Sequence, residues 1–180
     1  YRVYAFDQPG HGQSGGRKGV VEGIKEYAEI LDCFIRHIKK EREEGKIFLI
    51  GHSMGGAVAA AYCAIFGNGI DGLVTSAAAV IPVPGLAWLF KPAAEWLSRL
   101  APEVRTVKLP PEKLSRDKDV VKDYLGDQLN YTGRIKLKTA VELSKSEEII
   151  RKTAKYICEP LLVMHGSDDT LAKPRSEEHK

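Results

Sequence analysis

The sequence predicts an α/β fold in which a mostly parallel sheet is flanked by helices. Short, fully apolar runs such as Ile47–Ile50 recur along the chain, and such runs are typical of strands covered on both faces. Longer stretches between them, such as Ile24–Lys40, carry apolar residues at helical spacing. Strands that alternate with helices are joined by right-handed crossovers, so the strands should lie parallel in one sheet.

The first predicted element is a strand at Val3–Phe6, a short β-rich run that ends in a turn-rich stretch of glycine and proline. The helix at Ile24–Lys40 follows, with its apolar residues on one face. Ala57–Phe66 is alanine-rich and predicts a second helix, closed by Gly67. The other predicted elements are a strand at Ile47–Ile50, a turn at Gly51–Gly56 and strands at Gly72–Ser76 and Pro160–Met164.

The stretch 82–155 has a different character. It is richer in proline and charge, contains several amphipathic helical patterns and has no strand pattern. We therefore predict a first part of the core at 1–81, a helical cap at 82–155 inserted after the third strand, and a second part of the core at 156–180.

The composition is that of an ordinary globular protein, with 43% hydrophobic and 28% charged residues among 180. The net charge is only +3 and no long block of lysine or arginine occurs, so we predict no nucleic-acid surface. Cys33, Cys63 and Cys158 fit no zinc pattern, and neither metal nor cofactor is predicted. We expect buried free thiols and hence a reducing, cytoplasmic location. The apolar run 77–90 is interrupted by two prolines and is too short to span a bilayer.

The turn Gly51–Gly56 carries the pattern G-x-S-x-G between a buried strand and a helix of small residues. This is the setting of a nucleophile elbow, in which Ser53 sits on a strained turn with its hydroxyl exposed. Gly51 and Gly55 should let strand and helix approach closely. The N–H of Met54 should be one donor to an oxyanion, aided by the dipole of the following helix. The sequence thus predicts a nucleophilic serine on an α/β-hydrolase fold.

A nucleophilic serine needs a base and a carboxylate that orients the base. In this fold the chain order is serine, acid, histidine, and a carboxylate just past the next buried strand would lie at the same sheet edge as the serine. Asp169 is our choice for the acid. Asp168 and a purely structural turn remain alternatives. His52 adjoins Ser53 in a tight turn, so packing is the better interpretation of its side chain than catalysis.

Four stretches together resemble the monoacylglycerol lipases and the related lysophospholipase-like α/β-hydrolases. The stretches are Asp7–Gly16, similar to a D-x-x-G-H-G-x-S-x-G loop; Gly51–Gly56, similar to a G-H-S-M-G-G elbow; Leu114–Asp117, similar to an L-S-R-D cap segment; and His165–Asp169, similar to an H-G-x-x-D acid loop. Many hydrolases share the elbow and the acid loop, whereas the cap segment narrows the resemblance to this branch.

The resemblance implies hydrolysis of a carboxylic ester through an acyl-enzyme. The substrate it favours is a monoacylglycerol or a lysophospholipid. It also implies an apolar cap, whose run 81–90 would line the acyl chain or touch a membrane surface transiently through Leu86, Trp88, Leu89 and Phe90. Packing of this run under the cap is an equal alternative. Other candidate functions are an esterase for small or aromatic esters and an inactive fragment or non-catalytic binding protein. Peptidase and dehalogenase chemistry is disfavoured, and dehalogenases place an aspartate where Ser53 stands.

Two expected parts of the family pattern have no counterpart in the sequence. The resemblance implies an H-G loop with the second oxyanion donor, after a strand that would precede Tyr1 and lie between Val3–Phe6 and Ile47–Ile50. It also implies a catalytic histidine beyond a further strand; His179 follows Asp169 with no strand between them. We therefore expect these 180 residues alone to be neither a stable domain nor active. His11 and His37 are interpreted as structural.

Overall fold

The computed structural model describes residues 2–41, 44–67, 69–79 and 92–171. The helices are α1 Ile24–Glu41, α2 Met54–Phe66, α3 Pro92–Leu100, α4 Lys118–Gly126 and α5 Leu137–Thr153. The strands are β1 Phe48–His52, β2 Gly72–Ser76 and β3 Leu161–Met164, and short 3₁₀ turns lie at Pro111–Lys113 and Ala154–Tyr156.

The three strands form one parallel sheet in the order β1-β2-β3. Ile50 lies beside Val74, which lies beside Leu162 on the next strand. The predicted α/β architecture with a parallel sheet is confirmed, and the predicted strands at Ile47–Ile50, Gly72–Ser76 and Pro160–Met164 agree with the observed ones to within two residues. Because the strands are parallel, the loops that follow β1, β2 and β3 emerge at one edge of the sheet.

The core lies between the sheet and two helices. Helix α2 is composed mainly of small residues and is buried along most of its length, so it can approach the sheet closely. Helix α1 presents one apolar stripe, which includes Ile24, Tyr27 and Leu31, to the same core. Leu73 of β2 is 1% exposed at the centre of this cluster. The burial of this layer fixes β1 and α2, and with them the turn between the two elements.

The predicted strand at Val3–Phe6 is wrong: residues 2–7 are in no strand or helix. A groove of about 1520 Å³ separates this segment from β1, and apolar side chains including Phe6, Phe34 and Ile50 line it. A β-rich run becomes a strand only where a neighbouring backbone completes its ladder. Within the described ranges no strand lies in the groove. The stability of the segment alone stays a prediction.

The predicted cap contains helices α3, α4 and α5, and the described part of it has no strand beyond an isolated bridge between Arg105 and Lys136. Helix α5 also packs against α2. The hydroxyl of Thr139 on α5 accepts from the N–H of Val21 at 2.9 Å and donates to the carbonyl of Gly19 at 2.9 Å. Helix α5, the last α-helix within the predicted cap, is therefore attached to the core. The domain boundaries at residues 81 and 155 stay predictions.

The prediction of three buried thiols holds for Cys63 alone. Burial raises the pKa of the Cys63 thiol to about 12. Cys33 and Cys158 are exposed, which corrects the prediction for both. Cys33 lies on α1 off the buried stripe, and Cys158 lies in the connection that leads into β3. Both thiols are therefore exposed although their neighbours in sequence are apolar.

Candidate active site

Ser53 occupies the turn between β1 and α2 in a conformation that is rare for a residue with a side chain, with φ 51° and ψ −119°. Its backbone is held from two directions. The Ser53 N–H donates to the carbonyl of Ser76 at 2.9 Å, and the Ser53 carbonyl accepts from the N–H of Gly56 at 3.0 Å and of Ala79 at 2.9 Å. Such strain persists only where the surroundings enforce it, and it is typical of functional sites.

Glycines make the elbow sterically possible, but not the pair we expected. A Cβ at Gly51 would lie 2.4 Å from the carbonyl oxygen of Gly55, so only glycine fits there. A Cβ at Gly56 would lie 2.8 Å from the Cβ of Ala78. At Gly55 a Cβ would meet open space. The close-approach role predicted for Gly55 therefore belongs to Gly56, which faces the loop after β2.

Met54 is the first residue of α2, directly after Ser53. The N–H groups in the first turn of a helix have no acceptor within the helix, and the helix dipole adds positive potential there. The side chain of Met54 packs against the core. The backbone N–H of Met54 thus lies where a negative charge developing beside Ser53 could be stabilised.

The loop after β3 separates the two aspartates that the sequence left as candidates. Each side chain of Asp169 and His165 is 20% exposed, with Nε2 of His165 3.3 Å from Oδ2 of Asp169. Oδ1 of Asp169 accepts from the N–H of Leu171 at 2.8 Å. The side chain of Asp168 is 71% exposed and pairs with Arg116. Asp169 is thus turned inward and Asp168 outward.

Ser53 and Asp169 follow β1 and β3, which lie on either side of β2. Two interstrand spacings of about 4.8 Å each place the two loops about 10 Å apart at the same edge of the sheet. That separation leaves room for an imidazole between hydroxyl and carboxylate, the arrangement of a serine–histidine–acid triad.

The four described histidines have other surroundings. Nδ1 of His52 lies 3.1 Å from Oγ of Ser76, on the exposed side of the elbow. Nδ1 of His11 lies 3.1 Å from the carbonyl of Pro9. His37 lies on the exposed face of α1 beside Glu41, at 3.2 Å. His165 faces Asp169. We assign the catalytic base to none of them; His179 lies outside the described residues.

The predicted acyl-lining residues Leu86, Trp88, Leu89 and Phe90 also lie outside the described residues. Two contacts near the acid were not foreseen. The pairing of His165 with Asp169 could have been noticed from their spacing of four residues, which places both on one short loop. Arg116, which pairs with Asp168, is 52 positions away in sequence, and no local pattern indicates that contact.

Within the described ranges, no cluster of three or more histidine, cysteine, aspartate or glutamate side chains could hold a metal ion. The helices of the same ranges include none with the length and hydropathy needed to cross a bilayer.

Comparison with known proteins identifies relatives with this architecture. The chain is 30% identical to a monoacylglycerol lipase of Mycolicibacterium smegmatis over 94% of this chain and 60% of the relative. It is 30% identical to phospholipase YtpA of Bacillus subtilis, covering 95% of this chain and 66% of that protein. The crystal structure of Paleococcus ferrophilus monoacylglycerol lipase is 34% identical and superposes with a TM-score of 0.82, over 96% of this chain and 65% of that one.

The chain spans about two thirds or less of the length of these relatives. The family described as "Serine aminopeptidase, S33" matches residues 1–179, which is nearly the whole of the sequence. With its elbow, its parallel sheet and its acid loop in the order that the fold requires, the chain belongs to this serine hydrolase family of α/β-hydrolase fold.

Proposed function

We propose that the protein containing this chain is a serine hydrolase that cleaves a carboxylic ester of a single-chain lipid, a monoacylglycerol or a lysophospholipid. The observation that carries the proposal is the strained conformation of Ser53 at the sheet edge that also bears Asp169. The names of the relatives, which include monoacylglycerol lipases and a phospholipase, support this substrate class.

In the proposed mechanism, Oγ of Ser53 attacks the ester carbonyl while a histidine takes the hydroxyl proton. The N–H of Met54 donates to the resulting oxyanion. The carbon–oxygen bond to the alcohol then breaks, and the histidine returns the proton to the leaving alcohol. Water attacks the acyl-enzyme by the same steps and releases the carboxylic acid. Asp169 orients the histidine and stabilises its cationic form.

The cap would supply selectivity for the acyl chain. The apolar run 81–90, with Leu86, Trp88, Leu89 and Phe90, is proposed to line the acyl site, and the same surface could contact a lipid layer transiently. A cytoplasmic protein that works at the surface of membranes would combine these properties. An esterase for small or aromatic esters is the second candidate, because the elbow and the acid loop suit any acyl group equally.

The description of the family names an aminopeptidase, whereas the named relatives are ester hydrolases. The same triad can attack an amide, so the substrate class must be tested directly. The complete protein should hydrolyse monoacylglycerol and p-nitrophenyl decanoate, with no comparable rate on an aminoacyl p-nitroanilide. The reverse preference would replace the ester proposal by a peptidase.

The nucleophile is tested by Ser53→Ala in the complete protein. Loss of a triad member costs about 10⁴ or more in turnover, and a fluorophosphonate probe should label the wild type at Ser53 and leave the variant unlabelled. Ser76→Ala is the matched control: this serine lies in the next strand, bonded to the Ser53 N–H through its backbone only, so labelling should persist. Substantial turnover in Ser53→Ala would exclude Ser53 as the nucleophile.

A further inference from the structure

The residues between α3 and α5 form an excursion from the core, which we call the α4 excursion and define as residues 108–133. Its base is closed by backbone hydrogen bonds: the N–H of Thr106 donates to the carbonyl of Ile135, and the N–H of Ile135 donates to the carbonyl of Val107, both at 2.8 Å. Near its end, the ring of Tyr131 packs against Gly19, where a Cβ would lie 2.7 Å from the ring.

The distal part of the α4 excursion has little packing to hold it. Among the described helices and strands, α4 contacts only the 3₁₀ turn Pro111–Lys113 that belongs to the same excursion. None of the α4 residues is buried. Within the described ranges, hydrophobic burial therefore does not fix where this part of the excursion sits relative to the sheet edge.

Among the described residues, an ion pair between Arg116 and Asp168 joins this part of the excursion to the loop after β3. The side chains on either side of Arg116 make local hydrogen bonds and do not compete for that contact. The N–H of Asp117 donates to Oγ of Ser115 at 3.1 Å, and the carboxylate of Asp117 accepts from the N–H of Asp119 at 2.9 Å, which caps α4. Ser115 and Asp117 are thus occupied with the backbone turn, while the guanidinium of Arg116 extends to the other loop.

On the other side, Asp168 directly precedes the proposed acid. Asp169 contacts His165 and accepts from the N–H of Leu171. The two neighbouring carboxylates therefore point in different directions: Asp169 faces the site and Asp168 faces the excursion. Both partners of the ion pair are largely exposed, with side chains 84% and 71% accessible. An exposed pair contributes little to global stability, but it can bias where a weakly packed segment rests.

The geometry points to Arg116 as a positioning residue that, through Asp168, fastens the α4 excursion against the loop that carries Asp169. This inference rests on the proposed function, because its consequence is selectivity for the ester. An excursion held at this edge of the sheet would close one side of the space above Ser53 and Asp169. A long acyl chain needs that wall, and an acetyl group does not.

The test uses the complete protein and two substrates, p-nitrophenyl decanoate and p-nitrophenyl acetate. Arg116→Ala and Asp168→Ala should each raise KM for the decanoate about two- to fivefold at low salt, leaving kcat and the acetate kinetics unchanged. In the double variant, KM for the decanoate should rise no further than in either single variant. Arg116→Lys keeps the positive charge, so its KM for the decanoate should stay close to that of the wild type. In 0.5 M salt, the difference in KM between Arg116→Ala and the wild type should become smaller.

Arg36→Ala is the matched control. Arg36 is an exposed arginine paired at 2.8 Å with Asp32 within α1, far in sequence from either loop, and its loss should leave KM unchanged. A purely structural role for Arg116 would lower the amount of active enzyme with KM unchanged. Additive losses in the double variant would show that the two side chains do not act as a pair and would overturn the inference.

Amide hydrogen exchange of α4 gives a readout that does not depend on activity. Exchange in Lys118–Gly126 should accelerate in Arg116→Ala and in Asp168→Ala, but not in Arg36→Ala. If the wild type cleaved neither ester and Ser53 escaped labelling, the proposed function would fail while this measurement still decided the role of the pair. Unchanged exchange in both variants would refute the fastening of the excursion.

Discussion

The elbow loop and the acid loop lie at the same edge of one sheet, but different forces hold them. The elbow is fixed by backbone hydrogen bonds and by close packing: Ser53 is bonded to Ser76, Gly56 and Ala79, and Gly51 has no room for a side chain. The acid loop follows β3, whose four residues are all exposed, and side-chain pairs hold its two aspartates. We therefore expect changes at the elbow glycines to act through folding, and changes at Asp169 of the acid loop to act through chemistry.

The largest expected effect separates the two aspartates of the acid loop. Asp169→Asn in the complete protein should lower turnover of p-nitrophenyl decanoate by about 10³ to 10⁴, because the histidine loses the carboxylate that orients it. Its melting temperature should stay close to that of the wild type.

Asp168→Asn is the control for this substitution, since it changes the same group one position earlier. It should cost far less in turnover, because Asp168 faces Arg116 and not the site. If Asp168→Asn proved the more damaging change, the acid would be Asp168 and not Asp169.

The next effect is on stability and concerns the elbow. Gly51→Ala should reduce the free energy of unfolding by about 1–3 kcal/mol, the usual cost of overpacking a tight site, because the new Cβ would meet the carbonyl oxygen of Gly55 at 2.4 Å. Urea denaturation of the complete protein would measure it.

Gly55→Ala adds the same methyl group four residues later, where open space lies around the Cβ position. We expect its stability to match the wild type or to rise by up to about 1 kcal/mol, since alanine is the better helix former. Equal destabilisation by the two changes would show that packing does not fix the elbow in the way described.

The smallest expected effect tests whether the run 81–90 of the predicted cap contributes to chain-length selectivity. Trp88→Ala or Leu89→Ala should lower kcat/KM for the decanoate about tenfold relative to the acetate, since each buried methylene contributes about 0.8 kcal/mol and about two would lose contact. Trp96→Ala is the control, because Trp96 lies on α3 with 63% of its surface exposed. Equal loss on both substrates would assign the residues to packing of the cap.

The parts of the structure that the sequence predicted well depend on short stretches. The elbow is an example: an apolar strand, a G-x-S-x-G turn and a run of small residues occupy about twenty consecutive positions, so pattern and contact coincide. The helix at Ile24–Glu41 was found for the same reason, since its buried stripe has a helical period.

The errors concern features that depend on distant neighbours. Val3–Phe6 has strand composition, but in the part of the chain that the structure describes no strand lies beside it, and composition cannot reveal that. Cys33 lies among apolar residues in sequence, yet on the exposed side of α1. The close-approach role was assigned to Gly55 and not to Gly56 because the loop after β2, which carries Ala78, approaches the elbow only in three dimensions. The pairing of Arg116 with Asp168 is of the same kind.

The sequence separation between paired strands also sets the order in which the site can form. Phe48 of β1 pairs with Gly72 of β2, and Leu73 pairs with Leu161 of β3. The first pairing closes a loop of about two dozen residues and the second a loop of roughly 90, which costs about 1 kcal/mol more in chain entropy and slows the contact. A folding chain can therefore adopt the turn of Ser53 before β3 docks. The turn of the proposed nucleophile would form first, and the proposed acid would reach the same edge of the sheet only when β3 joins.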